Sequence, residues 1–141
     1  MARSRDFDVG DFARTLGRLV RRMRAATAQH ELSLTEAAVL ARLGRDGPAT
    51  TAELARAEGM RPQSMSAAVA ALEERGLIAR KPHPSDGRQV NIALTDKGAA
   101  VRRSAKDLKR AWLAQATARL DGEERQVLAR AGQILERLLG A

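Results

Sequence analysis

The sequence predicts a mostly α-helical fold carrying one small β-hairpin, and three observations support it. Apolar residues recur at three- and four-residue intervals over most of the chain, which is the period of one helical face. Only the stretch from Leu77 to Leu94 departs from that period: Val90, Ile92 and Leu94 alternate with less apolar residues, and prolines with Asp86-Gly87 separate two short runs. Both chain ends also carry apolar helical seams, more than a small lobe needs for its own core.

Asp11 precedes Phe12, Leu16, Leu19, Val20 and Met23, a helical stripe that predicts an amphipathic first helix. Arg14, Arg18, Arg21, Arg22 and Arg24 fall largely on its remaining surface. Ser33-Leu34-Thr35-Glu36 has capping-box spacing ahead of Val39, Leu40 and Leu43, so a second helix is expected to end near Gly44. Thr50-Thr51-Ala52-Glu53 repeats the box and opens a short third helix, with Leu54 and Ala55, that ends at Gly59.

Gly59-Met60-Arg61-Pro62 then forms a turn into a fourth helix. Proline suits its first position, where the missing N–H would have no partner anyway. This helix runs to Arg75 and stops at Gly76, with Met65, Val69 and Leu72 on one face and Gln63, Ser64, Ser66 and Ala67 on others near its N-terminal end. Two strands follow, Leu77 to Lys81 and Gln89 to Leu94. Prolines cannot donate to a ladder and Asp86-Gly87 favours a turn, so the chain reverses between Lys81 and Arg88. Thr95 can cap a long helix through Val101, Ala105, Leu108, Trp112 and Leu113 to about Ala118. A boundary at Leu120-Asp121-Gly122-Glu123-Glu124 leads to the last helix, whose seam is Val127, Leu128, Ala131, Ile134, Leu135 and Leu138.

Gly76-Leu77-Ile78, Asp86-Gly87-Arg88, and Leu94-Thr95 followed by Gly98 resemble the wing signature of the MarR family of transcriptional regulators, and the element order is similar over nearly the whole chain. The resemblance implies a single domain over 1–141: a winged helix-turn-helix DNA-binding lobe at about 33–98, and a helical dimerisation lobe from about 6–30 and 99–141. It further implies a homodimer whose first, fifth and sixth helices interlock across a twofold axis, with Phe12, Leu16, Leu19, Trp112, Val127, Ile134, Leu135 and Leu138 as candidate contacts. The partner is then double-stranded DNA with a roughly palindromic operator. The expected role is most often repression, with relief by a small-molecule effector as an option.

Within that reading, Gln63, Ser64, Ser66 and Ala67 are the candidates to meet base edges: Gln can bond adenine bidentately and an alanine methyl can meet a thymine methyl. The serines can equally bond phosphate or support the helix start. Arg88 is expected at the wing near the minor groove, while Asp86 either pairs with it or caps the turn. Arg61, Arg80, Lys81 and His83 are candidate phosphate neighbours, and Arg75 is expected to bond carbonyls at a helix end. The basic face of the first helix is either simply solvated or a dimer contact that also steers DNA. Arg22, Met23 and His30 lie near the junction where the family resemblance implies an effector pocket, with a purely structural histidine as the competing reading.

Lys and Arg number 25 against 17 acidic residues, a net charge of +8 that suits a polyanionic partner. An acidic protein partner for a winged-helix interaction module is the alternative that charge leaves open. The chain has no cysteine, which excludes disulfide, thiolate-metal and thiol-redox chemistry. No catalytic triad, phosphate-cradling glycine loop or metal constellation is visible, so neither an enzyme nor a cofactor is expected. No apolar run approaches a spanning helix and the N-terminus is charged, which predicts cytoplasmic residence without membrane association.

Overall fold

The computed structural model describes residues 6–140. Six helices and three strands follow in the order α1 (Val9–Ala25), α2 (Leu34–Asp46), β1 (Ala49–Thr50), α3 (Thr51–Ala57), α4 (Pro62–Glu74), β2 (Ile78–Pro82), β3 (Val90–Leu94), α5 (Asp96–Thr117) and α6 (Gly122–Leu139). The fold is mostly helical with a small sheet, as the sequence predicts. Short-range capping sets most helix starts. Ser33 and Glu36 form a reciprocal box on α2, Asp121 and Glu124 another on α6, Thr50 accepts from the Glu53 amide, and Thr95 accepts from the Gly98 amide.

Both helices of the helix-turn-helix end the same way. Gly59 and Gly76 take φ of 64° and 73°. The following amides, of Met60 and Leu77, reach back to Ala55 and Leu72 at 2.8 and 3.0 Å, closing the last turn where a side chain other than glycine would be strained.

The core lies wholly between α2 and β3. Val39, Leu40, Leu43, Leu54, Met65, Val69, Leu72, Leu77, Ile78 and Ile92 are buried, with Leu32 and Val101 packed at its margin. No residue of α1 or α6 is buried. Within the chain α1 rests on α5, and α6 makes only marginal contact with other elements. Phe12, Leu19, Val127, Ile134 and Leu138 are therefore exposed, Leu138 to 67%, while Leu16, Trp112 and Leu135 are half-buried.

Several boundaries differ from expectation. α1 begins at Val9, because Asp8 rather than Asp11 is the cap; its carboxylate accepts from the Asp11 amide at 2.8 Å. Asp11 instead pairs with Arg14. Phe7, just before the cap, packs its ring on Phe12. α2 continues through Gly44 to a cap at Gly47. At Gly44 the Arg102 side chain lies across the helix from α5, where an added Cβ would push it aside.

The hairpin is part of a three-stranded antiparallel sheet ordered β1-β3-β2. Ala49 and Thr50 pair with Ile92 and Asn91, a strand of two residues, too short to show alternation. A 3-10 turn at Ala28–His30 also follows α1.

Candidate nucleic-acid interface

On α4 the buried Met65, Val69 and Leu72 point into the core. At about 100° per residue, Gln63, Ala67, Ala70 and Glu74 then lie on the opposite, outward ridge, with Ser64 and Ser66 on its flanks. Gln63, Ser64, Ser66, Ala67 and Ala70 are exposed, and so is Arg61, the residue preceding Pro62. The positive end of the helix dipole and Arg61 sit at one end of α4, and the acidic pair Glu73 and Glu74 at the other. A polyanion is thus drawn to the N-terminal half.

The sheet carries the second surface. Ile78 pairs with Leu94, Arg80 with Ile92 and Pro82 with Val90, so Arg80 shares the face that packs toward α4. There its Nε donates to Glu73 Oε2 at 2.9 Å. The pair is nearly half exposed and worth at most about 1 kcal/mol, yet it ties the wing to the helix and occupies the cation expected beside phosphate. Lys81, one residue on, points to the other face and is exposed.

At the tip, backbone geometry is set by two side chains. His83 Nδ1 accepts from the amides of Ser85 and Asp86, both at 3.2 Å, which leaves the proton of the neutral ring on Nε2. Asp86 Oδ1 accepts from the Arg88 amide at 3.0 Å, an Asx turn. Asp86 thus caps the turn, the second of the two roles open to it. Among the described residues the Arg88 guanidinium makes neither an ion pair nor a hydrogen bond, and the residue is exposed.

Loss of the imidazole acceptor in His83→Phe is expected to speed amide hydrogen exchange at Ser85 and Asp86 about fivefold, the weight of one net hydrogen bond. Exchange at Ile78 and Ile92 should stay as it is. Equal exchange at Ser85 and Asp86 in both proteins would show that the histidine does not hold the tip.

The C-terminal end of α4 is held from two sides. Arg75 donates to the carbonyl oxygens of His30 and Glu31 at 2.7 and 3.3 Å. Lys97 Nζ donates to the Arg75 carbonyl at 2.9 Å and Thr95 Oγ1 to that of Gly76 at 2.6 Å. Arg75 does bond carbonyls, but those of the turn before α2 rather than of its own helix. His30 also meets Ser104 of α5, with Nε2 3.0 Å from Oγ, so its polar atoms serve the packing of this junction. Glu31, at φ 51°, is held in a left-handed conformation there.

Of Arg22, Met23 and His30, the last faces Ser104. Arg22 lines an open groove between α1 and α5 with Arg18, Leu19 and Trp112; Met23 is half-buried. A narrower groove of about 160 Å³ runs between α2 and α5, lined by Leu32, Ala37, Leu40, Ala41, Arg102, Ala105, Lys106 and Lys109. Arg102 Nε is buried beside it without a hydrogen-bond partner among the described residues. Sequence reasoning missed this groove, as well as Glu73 and Ala70. Ala70 stands three residues after Ala67 and was open to helical spacing, whereas the α2–α5 groove joins residues some 65 positions apart.

Among the described residues no group of acidic or histidine side chains is placed to hold a metal ion, and no helix is long and apolar enough to cross a membrane.

Comparison with known proteins gives concordant results. The model of the MarR family matches residues 32–90. An uncharacterised HTH-type transcriptional regulator of Mycobacterium leprae is 32% identical over 129 residues, covering 92% of this chain and 90% of that protein. An HTH-type transcriptional repressor of Mycobacterium tuberculosis is 33% identical over 114 residues, covering 81% and 80%. The crystal structure of Rv1404 from Mycobacterium tuberculosis superposes with a TM-score of 0.86 at 28% identity, covering 94% of this chain and 92% of that one.

Proposed function

The chain belongs to the MarR family of transcriptional regulators, and from that premise we propose that it binds a twofold-symmetric DNA operator as a homodimer and acts in the cytoplasm as a repressor. The observation that carries this is the joining of two uncovered surfaces on one core: the polar outward ridge of α4 and a wing tip whose Arg88 guanidinium has no partner among the described residues. The helix is shaped to enter the major groove N-terminus first, and the wing supplies a guanidinium to the adjacent minor groove or backbone.

Dimerisation is supported by the uncovered seams of α1 and α6, whose Val9, Phe12, Val20, Val127 and Leu138 would otherwise stay in water. Repression is supported by the repressor of Mycobacterium tuberculosis described above. Release by an effector is supported by the α2–α5 groove. Its apolar floor and the Arg102, Lys106 and Lys109 side chains suit a small carboxylate or phenolate, although its volume of about 160 Å³ is small for a drug-sized ligand without opening.

The test is titration of wild type and Arg88→Ala against operator and scrambled duplex at several salt concentrations. Arg88→Ala is expected to weaken binding to both duplexes. It should also lower the salt dependence by about one unit of slope per lost phosphate contact per subunit. An unchanged slope with intact fold would remove Arg88 from the interface. Equal affinity of the wild-type protein for operator and scrambled duplex would favour an acidic protein partner over DNA.

A further inference from the structure

The outward ridge of α4 also determines which base pairs the protein reads, an inference that rests on the DNA-binding reading above. Reading guanine from the major groove calls for Arg or Lys placed bidentately on O6 and N7, the commonest specific contact. α4 has no such side chain: between Pro62 and Glu74 its sequence carries no lysine or arginine. Arg80, the nearest cation of the wing on the face toward α4, is engaged by Glu73. Arg61 precedes Pro62 and therefore stands outside the helical ridge, at the end that first meets the phosphate backbone.

What the ridge does present is one amide followed by two methyl groups. Gln63, Ala67 and Ala70 succeed one another at four- and three-residue steps, all exposed, opposite the buried Met65 and Val69. Ser64 and Ser66 lie to either side of this line, where hydroxyls meet the walls of a groove rather than its floor. A glutamine matches the N6 and N7 edge of adenine, and an alanine methyl matches the C5 methyl of thymine. Small side chains also let the helix backbone approach the bases closely.

We propose that α4 reads A·T pairs, Gln63 through an adenine edge and Ala67 and Ala70 through thymine methyl groups, and that no guanine edge is bonded by this helix. Specificity then rests on apolar contact that an unmethylated base would lose.

The experiment begins with selection of preferred duplexes from a random pool. Thymines of the selected half-site are then replaced one at a time by uracil, which removes only the C5 methyl, and guanines by 7-deazaguanine, which removes N7. Uracil at one or two positions is expected to weaken binding about fourfold per half-site, the weight of one buried methyl. Deazaguanine in the segment that α4 faces should have no effect. Ala67→Gly and Ala70→Gly should each abolish the uracil penalty at a different thymine.

A half-site that is sensitive to deazaguanine and insensitive to uracil overturns the inference and leaves DNA recognition standing. A selection that yields no preferred duplex overturns the DNA-binding reading, and this inference with it. The uracil scan uses the unaltered protein, so the outcome does not depend on the glycine variants folding.

Discussion

Leu135→Glu combined with Leu138→Glu is expected to yield a monomer that keeps a folded winged helix but loses about a hundredfold or more in operator affinity. Val127, Ala131, Ile134 and Leu138 follow one another at steps of four, three and four residues on α6, with Leu128 and Leu135 beside them. Among the described residues none of them is fully buried, Ala131 and Leu135 being half-buried and the others exposed. Burying one leucine contributes about 1.5–3 kcal/mol, and two carboxylates in that seam would also have to be desolvated. The winged-helix core contains no residue of α1 or α6, so the charge should strike association rather than the fold of that lobe. A monomer contacts one half-site at a time and forgoes the roughly 10²–10⁴-fold gain of linked binding. Sedimentation and duplex titration check this together; a dimer of undiminished affinity would show that α6 does not form the interface.

Gly98→Ala is expected to destabilise the fold by about 2 kcal/mol, against the usual direction for that change in a helix. Alanine ordinarily stabilises a helix interior by up to about 1 kcal/mol over glycine. Here a Cβ would overlap the Leu77 carbonyl oxygen and lie 2.9 Å from the carbonyl carbon. The obstacle is backbone held in place by the Thr95 amide, which donates to that same oxygen, so no side chain can swing aside. Overpacking costs about 1–3 kcal/mol, and against backbone that cannot swing aside the upper end applies, so the steric term wins. Thermal melts at a fixed protein concentration should show a fall of roughly 6 °C, whereas a rise would mean that α5 and the start of β2 separate freely.

What the sequence disclosed and what it withheld divide by distance along the chain. The caps at Ser33, Thr50, Thr95 and Asp121 each act on an amide three residues away, so a four-residue pattern contains the whole interaction. The inward stripe of α4 is likewise periodic. Asp8, which the sequence reading did not single out, caps α1 with the same reach, through the Asp11 amide. Phe7, one residue earlier, packs its ring against Phe12. β1 was hidden because two residues hold no period. The engagement of Arg80 by Glu73 required knowing that β2 folds back beside α4. The bonds from Arg75 to His30 and Glu31 span 45 and 44 positions, and no local pattern announces them. Of the site, residue types on α4 and at the wing were legible, while which of their charges were already spoken for was not.

The anchoring of Arg75, Gly76 and Leu77 by Lys97, Thr95 and the turn at His30 makes α4 a lever with its fulcrum at the C-terminal end. Its 13 residues give an arm of about 19 Å at 1.5 Å per residue. A tilt of about 10° about that fulcrum would carry Pro62 roughly 3 Å while moving Glu74 hardly at all, about the length of one hydrogen bond. The fulcrum is bolted to α5 and to the turn ahead of α2, the two elements that border the cation-lined groove. Met65, fully buried toward the far end of α4, opposes such a tilt, so Gln63 and Ala67 move only as far as that packing yields.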